Sequence, residues 1–224
     1  VTQSMENLVS GLERLGKVAK NDKHLKFNNL MHHITPALLL EAYNKLNRQA
    51  AKGVDNLGWL DYAKACEQRL TILHEQLQSG KYKPKPVKRQ WLPKDNGEQR
   101  PIGITSLEDK IIQQALVLVL EPIYDADFLG FSYGFRQNRS QHQVLDAVYM
   151  MVSFKKVSWV LDADLKGFFD NIEHACLLRS IRHRICAERV LKLITSRLTA
   201  GVMDGHIRCK SEIGTPQGAV INKS

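Results

Sequence analysis

Long apolar runs are missing from this chain of 224 residues. The longest purely aliphatic stretch covers 115–120, far short of the roughly 20 residues that cross a bilayer. The N-terminal residues lack the apolar centre of a secretory signal. Cysteine is scarce. Cys66, Cys176, Cys186 and Cys209 form no Cys-x-x-Cys pair, so free thiols in a reducing compartment are expected. The 8 histidines show no i, i+4 pair with a third ligand in reach, which argues against a zinc site. Acidic side chains are also short: 23 Asp and Glu against 32 Lys and Arg leave a net charge of +9. Such an excess calls for an acidic partner, nucleic acid before a membrane surface. Collagen, coiled-coil fibre, disordered tail and integral membrane protein are thereby excluded. What is there, 43% hydrophobic and 25% charged residues, is the composition of a globular chain able to bury a core.

The first eighty residues have helical periodicity. Leu8, Leu12, Leu15 and Val18 predict a helix over 5–18. Thr35 followed by Pro36 is an N-cap with proline at the first helical position, and Gly53 is expected to close that segment. A third helix is predicted over 61–78. Lys81-Tyr-Lys-Pro-Lys-Pro86 cannot be helix, because its prolines lack donors and push their predecessors to extended geometry. Two strands around Asn96-Gly97 then read as a hairpin over 87–104. Ser106 with Asp109 resembles a capping box for the next helix. Further helices are expected over 140–152, 175–184 and 187–198, a buried strand over 157–163, and a short hairpin over 202–210. The class is α+β.

Four elements could carry chemistry. Asp162 and Asp164 end the β-rich run, and on a strand they would share one side. Close carboxylates suit a hard divalent cation. Capping the following helix, or pairing with Lys166, is the other reading. Lys81, Lys83, Lys85, Lys88, Arg89, Lys94 and Arg100, with Tyr82 and Trp91 between them, suit phosphate contacts and base stacking. A solvated hairpin face is the alternative. Arg136 and Arg139 flank a helix start, where anions are favoured, or they belong to a structural turn. Gly214-Thr-Pro-Gln-Gly218 makes a tight loop whose Gln217 could bond a base or sugar, or it is a plain turn.

In this order the segments resemble the reverse transcriptases encoded by bacterial group II introns. The resemblance rests on Ala51-Lys-Gly-Val-Asp55, the segment 93–104, the block 109–124, Ser132-Tyr-Gly-Phe-Arg136, the segment 163–172, and Gly201 with 214–218. It implies a right-hand polymerase fold: a helical RNA-binding extension over 1–80, fingers over 81–156 and an incomplete palm over 157–224. It further implies RNA-directed DNA synthesis with two Mg²⁺ ions, and intron RNA, RNA template, DNA primer and deoxynucleoside triphosphates as partners in a bacterial cytoplasm. Asp164 would be a catalytic metal ligand, Asp162 and Lys166 its supports. Phe169 would be the gate that excludes a 2′-hydroxyl, with Phe168 packed in the core. Lys94, Arg100 and Gln217 would touch the nucleotide. The family's Tyr-Ala-Asp-Asp segment does not occur, so the chain is expected to be inactive alone. A non-catalytic, splicing-assisting RNA binder is the alternative. Gln137-Asn138 stands where the family has Pro-Gly.

Overall fold

A computed structural model describes residues 2–93, 97, 99–155, 157–205 and 207–215. Helix α1 (Thr2–Asn21), α2 (Pro36–Lys45), α3 (Trp59–Ala63) and α4 (Cys66–Gln78) precede the hairpin of β1 (Val87–Pro93) and β2 (Gln99–Ile104). Then come α5 (Leu107–Tyr124), α6 (Gln141–Phe154), α7 (His174–Ile181), α8 (Glu188–Leu198), β3 (Val202–Asp204) and β4 (Ile207–Cys209). The class is α+β, as expected.

The caps act as the sequence says. Thr35 Oγ1 accepts the Leu38 N–H at 3.2 Å, with Pro36 opening α2. Ser106 caps α5, its hydroxyl donating to Asp109 at 2.5 Å. α2 ends at Lys45, well before Gly53. That glycine is instead a point of close approach. A Cβ there would lie 2.6 Å from Ser106 Cα, so the 46–58 loop can press against the start of α5 only without a side chain. Gly53→Ala is therefore expected to cost about 1–3 kcal/mol, the usual range for overpacking. Thermal melting of the variant checks it.

The helix predicted over 61–78 is two helices, broken at Lys64–Ala65. Tyr62 is fully buried below Tyr43, and Leu70, Leu73 and Leu77 enter the same core. On one straight helix Tyr62 and Leu70 would point roughly 80° apart. The break aims both inward. Trp59, stacked on Tyr43 at 4.6 Å, and the Asp61 carboxylate, accepting the Gly58 N–H and Lys52 Nζ, hold the short first piece.

α5 is the central helix. Ile111, Ile112, Ala115, Leu116, Val119 and Ile123 meet α1, α2, α4 and α8 in one core. Arg184, with no exposed surface, joins this core to the end of α1. It donates to the carbonyls of Ala19, Asp22 and Lys23 and to Asp127 at 2.8 Å.

The sheet order is β2-β1-β3-β4. Both hairpins are where the sequence puts them. β1 runs antiparallel to β2, with Lys88 opposite Ile104 and Pro93 opposite Gln99. The link between the hairpins is new: β1 pairs parallel with β3 through Val87–Val202 and Lys88–Met203. The expected buried strand over 157–163 is not formed. Residues 157–163 are irregular, and Trp159, Val160 and Leu161 are 80–91% exposed. Strand preference takes effect only where a backbone neighbour and a packing surface exist, and no described strand lies beside this run. No described helix is long and apolar enough to cross a membrane.

Candidate nucleotide and nucleic-acid site

The hairpin carries one wall of a polar groove of about 450 Å³. Arg89 and the backbone of Ile102–Gly103 face Asp170 and the segment 210–215, including Lys210 and Thr215. Local bonds bring these distant segments together. The Thr215 N–H donates to the Phe169 carbonyl at 2.8 Å, and the Gly214 N–H to the Ile172 carbonyl at 2.8 Å. Gly214 sits at φ +78, with room for no side chain: a Cβ would stand 2.7 Å from the Asp170 carbonyl. His174 Nε2 lies 2.8 Å from the Gly214 carbonyl. The loop read from Gly214 onward is thus seated on the Phe169–Asp170 turn. Gln217, at its far end, lies outside the described residues, as does Lys94 in the hairpin turn.

The basic residues divide into two groups. Lys81, Lys83, Lys88 and Arg100 are exposed. Arg89 spans Asp204 at 3.2 Å and the Trp91 ring at 5.7 Å, and Trp91 keeps an exposed face. Lys85 is committed elsewhere, to Asp55 at 2.9 Å and Glu108 at 3.9 Å. Burial works against its charge, but the Asp55 hydrogen bond and the surrounding carboxylates outweigh that and hold the ammonium above its ordinary pKa. Burial also pushes the Glu108 carboxyl up, against the pull of Lys85.

Tyr82 is not a stacking platform. Its hydroxyl donates to Asp109 at 2.8 Å, and burial raises its phenol pKa far beyond the physiological range. Asp109 itself, 1% exposed, also takes the Ser106 hydroxyl, the Lys85 N–H at 3.2 Å and Arg197 at 3.3 Å. The sequence marked Asp109 only as part of a helix cap. No local pattern announces donors that lie 24 to 88 positions away in the chain.

Arg136 is a correction. Its guanidinium binds Asp125 at 2.9 and 2.7 Å and the carbonyls of Leu129 and Ser132, with 9% side-chain exposure. It braces the 125–136 turn and is not presented to phosphate. The start of α6 is closed by its own capping box, Ser140 and Gln143 satisfying each other's N–H groups. Of this pair only Arg139, which lies 5.3 Å from the Tyr133 ring, remains outward. Asn138 takes φ +59, the left-handed geometry that asparagine tolerates better than most residues. Its place in a turn needs no glycine.

Asp162, Asp164 and Lys166 are exposed on the irregular segment, so the two carboxylates are not ordered on one side of a strand. The carboxylates that line the groove are Asp170 and Glu212. Among the described residues no three His, Cys, Asp or Glu side chains gather as a metal site. The described donors therefore do not by themselves complete a two-ion centre, and no chemical step is derived through one. The two phenylalanines do not divide as expected. Phe168 and Phe169 make an edge-on contact at 5.5 Å, both reach the same apolar cavity of about 400 Å³ beside α5, and neither is buried. Their turn starts at Gly167, φ +63, closed by Asn171 Nδ2 donating to the Gly167 carbonyl at 2.8 Å.

Residues 92–222 match the family described as reverse transcriptase (RNA-dependent DNA polymerase). The chain belongs to the reverse transcriptase family. Similar proteins agree with that. Protein YkfC of Escherichia coli K12 is 36% identical over 224 residues, covering 96% of this chain and 58% of that protein. The group II intron-encoded protein LtrA of Lactococcus lactis is 32% identical over 222 residues, covering 97% and 36%. A protein in the cob intron of Schizosaccharomyces pombe is 29% identical over 220 residues, covering 97% and 27%. This reverse transcriptase chain thus spans about a quarter to three-fifths of these relatives' lengths. Most of the polar groove lies within the matched region, Val87 and Arg89 of its hairpin wall preceding it.

Proposed function

We propose that this chain is the RNA-binding and nucleotide-facing part of a group II intron-type reverse transcriptase, acting in a bacterial cytoplasm. The observation that carries the reading is the groove in which the hairpin, the Phe169–Asp170 turn and the Gly214–Thr215 loop converge. Residues 1–80 form the RNA-binding extension, 81–156 the fingers and 157–224 the start of the palm. Lys81, Lys83, Lys88 and Arg139 meet phosphates of intron RNA or template. Arg100, with Lys94 and Gln217, meets the deoxynucleoside triphosphate, and Phe169 faces its sugar. Asp164 contributes one carboxylate toward Mg²⁺, with Asp162 and Lys166 nearby in sequence. The chain's own residues supply positioning and charge neutralisation, the protein's main part in phosphoryl-type transfer.

Two outcomes follow. The purified chain should bind RNA but not extend a primer when given Mg²⁺ and deoxynucleotides. Extension that disappears in Asp164→Ala would show that the chain holds a working centre. In parallel, replacing Lys88, Arg89 and Lys94 together should reduce the slope of log K against log salt by up to about 2, at about 0.7 per single-strand contact. An unchanged slope moves the RNA to the N-terminal helices, the arrangement that favours a splicing-assisting module over a template-binding one.

A further inference from the structure

We propose that His174 is a positioning residue for the nucleotide groove: its Nε2–H holds the peptide between Gly214 and Thr215 in one orientation, and so fixes the wall that 210–215 contributes. This rests on reading the groove as the seat of a nucleotide.

The segments 169–174 and 213–215 lie side by side. Glu173 and Ile213 form an antiparallel bridge. The Gly214 N–H donates to the Ile172 carbonyl, and the Thr215 N–H to the Phe169 carbonyl, each at 2.8 Å. These backbone bonds ask nothing of the side chain at position 174. The Gly214 carbonyl does, because its partner is His174 Nε2, 2.8 Å away. A carbonyl only accepts, so Nε2 carries the proton. That carbonyl and the Thr215 N–H are the two ends of one planar peptide. Both ends are therefore tied, one to His174 and the other to Phe169. Turning the plane over would break both bonds at once. Without His174 the turnover is opposed at one end only, and Gly214, at φ +78 and with no Cβ, offers it little steric resistance. Pro216 follows and biases Thr215 to extended geometry, so the peptide at 214–215 is the adjustable joint of this loop. His174 is half-buried at the first residue of α7, and its ring projects from backbone that the helix already orders. It thereby keeps Asp170 and Thr215 in register on the wall that faces Arg89 and Gly103.

Hydrogen exchange and nucleotide titration of the intact chain test it. His174→Gln keeps an N–H as many bonds from Cα as Nε2, His174→Asn offers one that falls short, and His174→Ala has none. Exchange at the Gly214 and Thr215 amides is expected to quicken at least about tenfold in the alanine and asparagine variants, and to stay within about threefold of the parent in the glutamine variant, with α5 unchanged in all three. Binding of deoxythymidine triphosphate with Mg²⁺, followed by NMR shifts at Gly103 and Thr215, is expected to weaken at least about fivefold in the same two variants and to recover with glutamine, an effect of the size one hydrogen bond carries. A space-filling role would not sort the variants by the position of an N–H. Unchanged exchange in His174→Ala, a glutamine variant as impaired as the alanine one, or quickened exchange throughout α5 overturns the proposal. So does faster exchange at 214–215 with unchanged nucleotide affinity. A parent chain that takes up no triphosphate overturns the nucleotide reading itself, and the role of His174 falls with it.

Discussion

Asp109→Ala is expected to cost about 3–5 kcal/mol, the range for breaking a buried ion pair from one side. Its carboxylate is 1% exposed and joins four donors from separate parts of the chain: the Tyr82 hydroxyl, the Lys85 N–H, the Ser106 hydroxyl and the Arg197 guanidinium. Removing it leaves the Arg197 charge, only 14% exposed, without its carboxylate. It also frees the Lys81–Pro86 lead-in from α5, so the base of the hairpin loses its anchor. At about 2–4 °C per kcal/mol for a chain of this size, melting should fall by roughly 6–20 °C. A variant that melts within 2 °C of the parent would mean the four donors are satisfied without Asp109.

Arg184→Met should cost a similar amount, about 3–5 kcal/mol, but its damage should be local. Three backbone carbonyls at the end of α1 and the Asp127 carboxylate lose their donor together. Methionine replaces the volume and none of the N–H groups. Hydrogen exchange should therefore quicken first in α1 and at Phe27, whose N–H and carbonyl bond to Arg184 and Cys186. The centre of α5 should keep its protection. Equal acceleration in α1 and α5 would show that Arg184 supports the whole core and not the docking of one helix. If α1 contributes to RNA binding, the same variant should weaken it without touching the hairpin.

Features set by neighbours in sequence were legible in the chain. The caps at Thr35 and Ser106 and the two hairpins need only local residues, and each stands where it was read. Features set by distant contacts were not. The break at Lys64–Ala65 answers to Tyr43 and the core. Gly53 answers to Ser106, and Arg136 to Asp125. The run over 157–163 shows the same limit from the other side, since its composition is that of a strand and the missing ingredient is a neighbour. For the groove, the motifs at 93–104, 163–172 and 214–218 were visible one by one. Their convergence depends on the bonds from 214–215 to 169–172 and on the parallel pairing of β1 with β3, neither of which leaves a local trace.

That parallel pairing is narrow. Among the described residues, only Val87 and Lys88 of β1 lie beside β3, while the rest of the strand runs on to Pro93 with β2 as its one strand neighbour. Mechanically, the hairpin is a cantilever clamped at one end. Its free length is on the order of 20 Å at about 3.3 Å per residue, so a rotation of about 10° at the clamp carries Pro93 through about 3.5 Å. The Arg89–Asp204 ion pair sits just beyond the clamp, where leverage on it is smallest. The Arg100 side chain, opposite Leu92, rides farther out, at a larger radius. Any rotation of the hairpin about this clamp is resisted by the few bonds at Val87 and Lys88 and by Asp109 beneath them, and it carries Arg100 through a larger arc than Arg89.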